Sequence, residues 1–290
     1  KHCFSFPHFR RIMYLAVLVI CCLMELQSRA ETPCYSCGKT FENRIVGGED
    51  AKMNEFPWQL SIALQFNERI IHFCGAAVIS ASWVLTASHC FDEVPPNLGT
   101  DSLMVLSGLH TTKTYDKNNL YRVLKLVKHP QYNVTKYMDN DIALINVDKP
   151  FVFTKSVQPI CLPFDVKENL TGKDVTTSGW GRMQEMGLPS VTLQKVTLKV
   201  LDKKDCGFTP VGEYLTDNMF CTFAWGKDSC EGDSGGPLTY TPDGSANKYL
   251  VGVVSWGMGC ARVEYPGVFT KVRNYLDWIK IVTGEDFCYS

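Results

Sequence analysis

No charge of either sign dominates this chain. Its 29 lysines and arginines face 30 aspartates and glutamates, for a formal net charge of −1. A nucleic-acid partner or an anionic membrane patch calls for a basic surplus, so neither is expected. The chain lacks an apolar run of the ~20 residues that a bilayer-crossing helix needs; the run Ile12–Met24 stops after thirteen. No apolar tail follows the last predicted element, which argues against a C-terminal lipid-anchor signal. Internal repeats and low-complexity tracts are absent too. Histidine is scarce, with six in 290 residues, so each one can be weighed individually.

Cysteine is abundant. Thirteen are many for a reducing cytosol, and the composition reads as folded, secreted and disulfide-stapled. Residues 1–30 read as a signal peptide: Arg10 and Arg11 precede the apolar run, and Ser28-Arg29-Ala30 offers small residues for cleavage after Ala30. The competing reading is an uncut signal anchor that tethers the chain to a membrane. The first residue is Lys1 rather than Met, which fits a fragment or a start at Met13. Residues 31–44 form a short polar leader ending in Asn43-Arg44. The length suits one large domain or two small ones. From Pro57 onward, short apolar runs are broken by Gly, Pro, Asn and Asp; they include Trp58–Leu64, Ala76–Ile79, Trp83–Thr86, Leu103–Leu106, Asp141–Val147, Val196–Leu201 and Tyr249–Trp256. Runs of ~4–8 residues with repeated turn signals predict an all-β sandwich or barrel. One packing helix is predicted near the end, from the spacing of Val272, Tyr275, Leu276, Ile279 and Val282.

The chemistry gathers around Asp228-Ser229-Cys230-Glu231-Gly232-Asp233-Ser234-Gly235-Gly236-Pro237. A serine between Asp and two glycines is a candidate nucleophile on a tight turn, where backbone can approach a reacting carbonyl. Serine is a weak nucleophile by itself and needs a histidine base with a carboxylate to hold it. Upstream stand Thr86-Ala87-Ser88-His89-Cys90 and Asp139-Asn140-Asp141-Ile142-Ala143-Leu144. On the residues alone, either Asp139 or Asp141 could be a surface turn residue.

Together with Ile45-Val46-Gly47-Gly48, these stretches closely resemble the trypsin-like (chymotrypsin-fold) serine proteases, in that family's order of His, then Asp, then Ser. The resemblance covers residues 37–283. It implies an all-β fold of two antiparallel Greek-key β-barrels with a C-terminal helix. The peptidase domain would span 45–290, in halves of roughly 45–155 and 156–290, with the active site in the cleft between them. His89 is then the general base, Asp141 its orienting carboxylate and Ser234 the nucleophile, with the Gly232 and Ser234 N–H groups as oxyanion hole. His2, His8, His72, His110 and His129 match no motif and receive no chemical role. Asp228, six residues before the nucleophile, takes the base of the primary pocket and selects Arg or Lys. Gly257 and Gly267 leave room along its walls, and Ser255-Trp256-Gly257 forms the edge that pairs with substrate backbone. Arg44-Ile45 resembles an activation junction, whose cleavage frees an Ile45 ammonium to pair with Asp233. The chain would thus be a zymogen, and Arg44 itself fits the pocket, which allows self-activation. Deprotonation of Ile45 should switch activity off reversibly at alkaline pH, later than for a free amine with its pKa near ~8.

By the same resemblance Cys74–Cys90, Cys206–Cys221 and Cys230–Cys260 are core disulfides, and Cys37–Cys161 tethers the leader. After removal of residues 1–30 ten cysteines remain, which leaves Cys34 and Cys288 to each other. A further family bridge is lacking at both ends, since Tyr240 and the Val175–Thr177 stretch carry no cysteine. Other departures are Ser88, where the family more often has Ala, and Glu231, where Gln is commoner and where acidic residues near the scissile bond should be disfavoured. Leu109 stands where calcium-binding relatives place a carboxylate, so no metal and no cofactor are expected. The loop around Phe223-Ala224-Trp225 is shorter than in trypsin itself. Asn133-Val134-Thr135 and Asn169-Leu170-Thr171 are glycosylation sequons. The implied partners are protein or peptide substrates with Arg or Lys at the cleavage site, an activating protease or the enzyme itself, and protease inhibitors, around a monomer. A non-catalytic binding protein of the same fold is the other class of function; such proteins usually lack a triad residue, and here all three are present.

Overall fold

Several turns of this chain fall on residues that suit them. Asn54, Asn67, Asn133 and Asn140 all adopt positive φ, between 54° and 64°, a conformation asparagine tolerates better than most side chains. The computed structural model describes residues 36–40, 49–67, 69–92, 94–95, 98–182, 187–224, 232–259 and 264–287. Strands β2 (Gln59–Phe66), β3 (Arg69–Val78), β4 (Trp83–Thr86), β5 (Leu103–Ser107), β6 (Leu120–Lys128) and β7 (Ala143–Val147) close into an antiparallel barrel in the order β2-β3-β4-β7-β6-β5. A second ring follows from β8 (Asp174–Gly179), β9 (Gln194–Val200), β10 (Met219–Phe223), β11 (Pro237–Tyr240), β12 (Tyr249–Trp256) and β13 (Gly267–Lys271), in the order β9-β10-β13-β12-β11-β8, with β8 pairing back onto β9. Closure leaves neither ring with a long open edge.

The predicted runs fall on these strands, with one instructive difference. Asp141 and Ile142 precede β7 rather than opening it. Asn140 has φ +58°, and the Ile142 N–H turns back onto the Asn140 carbonyl at 2.9 Å. Asp141 is therefore free of the ladder and can be aimed sideways. The predicted C-terminal helix forms as a 3-10 turn, Val272–Tyr275, running into an α-helix, Leu276–Thr283. A second, five-residue helix, Lys203–Gly207, is N-capped by the Asp202 carboxylate, which accepts from the Lys204 N–H at 2.8 Å. Among the described residues no helix is long and apolar enough to cross a membrane.

Both terminal segments cross between the rings. The two-residue strand β1 (Glu49–Asp50) pairs with β9 of the second ring, and Lys195 of β9 reaches back to Glu55 at 2.6 Å in a nearly buried ion pair. Val272, Tyr275 and Ile279 of the C-terminal segment share one apolar cluster with Trp58, Leu60, Leu85 and Leu144 of the first ring. The rings also meet directly, where the buried Ser178 hydroxyl of β8 donates to Gln59 Oε1 of β2 at 2.7 Å.

Disulfides Cys37–Cys161, Cys74–Cys90 and Cys206–Cys221 are formed. Where the family bridge is lacking, Val175 and Tyr240 instead belong to an apolar cluster with Val166, Leu198, Leu238 and Phe269. The predicted signal segment 1–30, the junction Arg44-Ile45, the residues Trp225, Asp228 and Glu231, and the pairs Cys230–Cys260 and Cys34–Cys288 lie outside the described residues.

Candidate active site

His89 opens a 3-10 turn, His89–Phe91, immediately after β4. Asp141, fully buried, grips it twice: Oδ1 accepts from the His89 backbone N–H at 2.9 Å, and Oδ2 lies 2.7 Å from ring Nδ1. The carboxylate takes a third bond, from the buried Ser255 hydroxyl to Oδ2 at 2.5 Å, and the Asp141 carbonyl accepts from Thr270 Oγ1 at 2.8 Å. Burial works to lower the His89 pKa, but the charge and hydrogen bond of Asp141 outweigh it and leave the imidazole above its ordinary value. The bond at Nδ1 leaves Nε2 for other chemistry.

Asp139 goes elsewhere. Its Oδ1 accepts from Thr216 Oγ1 at 2.6 Å and Asn218 Nδ2 at 3.1 Å, which ties the 130s loop to the second ring. Ser88, also wholly buried, donates to the Ile142 carbonyl at 2.6 Å and so fastens the His89 turn to the Asp141 segment a second time.

The Ser234 turn is held mainly by backbone. Gly235 N–H donates to the Val254 carbonyl at 2.9 Å, Gly236 N–H to the Asp233 carbonyl at 2.8 Å, and the Ser234 carbonyl accepts from Gly75 N–H at 2.7 Å. None of these bonds uses the N–H groups of Gly232 and Ser234. Gly235 has φ +75°, and a Cβ there would lie 2.2 Å from Thr86 Oγ1 and 3.1 Å from Cys90 Sγ. The missing side chain lets this turn press against the chain on both sides of His89. Ser234 and His89 are thus carried on touching turns, with no hydrogen bond between their side chains. The Asp233 carboxylate accepts from Gly181 N–H at 2.8 Å.

Of the predicted substrate-side residues, Gly257 and Gly267 face each other: a Cβ on Gly257 would sit 4.0 Å from the Gly267 Cα. Trp256 packs edge-on against Tyr137 and Tyr214, at 5.6 and 6.1 Å between ring centroids. The Ser255 side chain turns inward to Asp141, a contact the sequence did not announce. Asn133 and Asn169 are both exposed.

His72, given no role from sequence, proves to brace the site. Its Nδ1 lies 2.7 Å from Ser61 Oγ and its Nε2 3.1 Å from the Gly232 carbonyl, so it links β2 to the start of the Ser234 turn. Burial holds its pKa down against the opposing effect of the Gly232 bond, which favours the neutral ring. Simple alternation along β3 misplaces His72, because the pairing shifts register between Ile62 and Ala63 and puts it on the opposite face from Cys74. Among the described residues one group, Cys74, His89 and Cys90, has the proximity of a metal site, but its sulfurs are already joined as a disulfide. Leu109 lies half-buried against apolar neighbours.

Comparison with known proteins agrees with this geometry. The sequence profile of the trypsin family matches residues 45–279. The chain is 40% identical over 253 residues to the trypsin of Phaedon cochleariae, covering 86% of this chain and 92% of that protein. It is 39% identical over 241 residues to trypsin-1 of Astacus astacus, covering 81% and 98%. It is also 42% identical over 248 residues to transmembrane protease serine 9 of Rattus norvegicus, of which the match spans 22%. The chain therefore belongs to the trypsin family and is a trypsin-like serine endopeptidase.

Proposed function

We propose that this endopeptidase cuts after Arg or Lys, that Ser234, His89 and Asp141 carry the reaction, and that it is secreted as a zymogen activated by cleavage between Arg44 and Ile45. The observation that carries the catalytic assignment is the doubly bonded His89–Asp141 pair set against the Ser234 turn. With Nδ1–H donated to Asp141, the Nε2 lone pair accepts the Ser234 proton as Oγ attacks the scissile carbonyl. The resulting oxyanion is met by the Gly232 and Ser234 N–H groups, donors worth about 2.7–4 kcal/mol each in related sites. The tetrahedral adduct collapses as His89 passes the proton to the leaving amine, which leaves an acyl ester on Ser234. Water then attacks the ester, gives its proton to His89, and the carboxylic acid product leaves as Ser234 recovers its proton.

The specificity rests on Asp228, supported by the pairing of Gly257 with Gly267, which leaves a wide wall for a long basic side chain. Activation rests on the Ile45 motif and on Asp233, whose carboxylate accepts from the Gly181 N–H. Secretion rests on the signal-like segment 1–30, on the disulfides and on the exposed sequons. The test is hydrolysis of matched Arg-, Lys- and Phe-ended chromogenic peptides before and after cleavage at Arg44, with Ser234→Ala alongside. Turnover of the Arg and Lys peptides only, appearing on cleavage and absent in Ser234→Ala, is expected. Equal turnover of the Phe peptide would remove the role of Asp228, and full activity before cleavage would remove the zymogen.

A further inference from the structure

The turn that carries His89 ends on Asp92, and three segments meet at that side chain. The Asp92 N–H donates to the His89 carbonyl at 3.0 Å, so the carboxylate is fixed relative to the imidazole by a single turn of backbone. Its Oδ1 accepts from Lys128 Nζ, at the end of β6, at 2.6 Å. Its Oδ2 accepts from the Tyr132 hydroxyl at 2.5 Å, and that hydroxyl also lies 3.4 Å from Met138 Sδ. Met138 is buried, holds φ +56° and stands three residues before Asp141. Hydrogen bonds therefore run from the His89 turn through Asp92 to Tyr132, whose hydroxyl spends its one proton on Asp92 and rests in contact with Met138 of the Asp141 loop, and the His89–Asp141 bond closes the circuit. None of its outer members touches the reacting atoms.

We propose that Asp92 is a positioning residue for the His89–Asp141 pair: Lys128 and Tyr132 hold its carboxylate so that it fixes the His89 turn against the Asp141 loop, and its charge, balanced by Lys128, is felt by the imidazole. The proposal rests on the reading of His89 as general base. The charged groups facing His89 are Asp141, Asp92 and Lys128; against the downward effect of burial, the two carboxylates favour the protonated ring and Lys128 opposes it. Burial would raise the Asp92 carboxyl, but the bonds from Lys128 and Tyr132 outweigh it and hold it below the ordinary carboxylate range. Asp92 therefore stays charged while His89 titrates.

The test is the pH profile of kcat/KM for the activated enzyme on an Arg-ended peptide, for Asp92→Asn, Lys128→Met, the double variant and Tyr132→Phe. Asp92→Asn should move the acid limb down and Lys128→Met should move it up, each by about 0.2–0.6 of a pH unit, the scale of a partly exposed charge pair. The double variant should return the limb close to its starting point, and both shifts should shrink in ~1 M salt. Tyr132→Phe keeps every charge, so it should lower kcat a few-fold with KM and the limb unchanged. A support that merely holds the fold would move thermal stability and leave the limb in place. Limbs that stay put, or that move the same way in Asp92→Asn and Lys128→Met, would overturn the proposal. His89→Ala is the control: if activity survived it, the reading of His89 as base would fall, and the proposal with it.

Discussion

The two halves of this active site are held by different means. On the His89–Asp141 side, side chains do the holding: the hydroxyls of Ser88, Ser255 and Thr270 and the Asp141 carboxylate are all buried and all bonded. On the Ser234 side, main-chain bonds and glycines do most of it, through Gly75, Gly235 and Gly236, with one side-chain bond each from His72 and Asp233. The difference follows from what each side must supply. A ring that receives and returns a proton has to be aimed, and aiming an imidazole takes a carboxylate whose own lone pairs are fixed by donors. A developing oxyanion has to be met by N–H groups that point at empty space, and that takes a turn whose shape is set without consuming those groups.

If this division is right, the largest effect should come from unaiming the ring. Asp141→Asn should lower kcat by about 10⁴-fold, because the amide stabilises the wrong tautomer of His89. The pH profile should change with it. Catalysis needs neutral His89, so in the native enzyme the acid limb should lie above the ordinary histidine value of 6.5, and in Asp141→Asn it should fall. Folding stability runs the other way. Since the folded-state pKa is raised, the contribution of the protonated pair is complete below the unfolded value and is lost as pH rises through the folded one. Thermal melts and kcat/KM followed over the same pH range would separate the two trends.

The glycine side should fail by unfolding rather than by mistuning. Gly235→Ala places a methyl group against Thr86 Oγ1 at a positive φ, and it should cost about 2–5 kcal/mol of stability. A melting temperature equal to that of the parent would show that this turn is looser than described. Next comes Ser255→Ala, which removes a bond to a charged carboxylate worth roughly 1.5–3 kcal/mol. It should lower kcat by about 10–100-fold with KM little changed; a change confined to KM would return Ser255 to the substrate edge where its sequence neighbours place it. Ser88→Ala should be the mildest. The Ile142 carbonyl keeps its bond from His129 N–H at 3.0 Å, so about 0.5–1.5 kcal/mol is expected from calorimetry.

The same division explains what could be read from the residues alone. Gly-Asp-Ser-Gly-Gly is legible because its residue types announce a tight turn, although the close approach that demands glycine at 235 is to Thr86 and Cys90, far off in sequence. Thr-Ala-Ser-His-Cys is legible by resemblance, and with it the barrels. Ser255 and Thr270 stand 114 and 129 residues from Asp141, and no local pattern states that a hydroxyl will arrive there. His72 is similar, since its bond to Gly232 spans 160 residues and appears only once β3 lies beside the Ser234 turn. The choice between Asp139 and Asp141 needed family likeness. The fold supplies a physical reason, because Asp139 has its own partners in Thr216 and Asn218. Strand β6 hid for another reason: its bulge between Val123 and Lys125 interrupts the alternation that would have announced it.

The crossed ends of the chain bear on its birth. Tyr275 and Trp278 pack edge-on against His129, and the Tyr275 hydroxyl reaches Asn140, next to Asp141. The first barrel thus waits for residues made after every strand of the second, while the second takes the strand beside β9 from residues made before any strand of the first. Two domains that could each fold as they emerge would mature one after the other; these two must finish together. A nascent chain stopped before Val272 would carry the whole His89 half of the site without Tyr275 and Trp278 behind it, so the half that aims the imidazole is completed only after the strands of both barrels have been made.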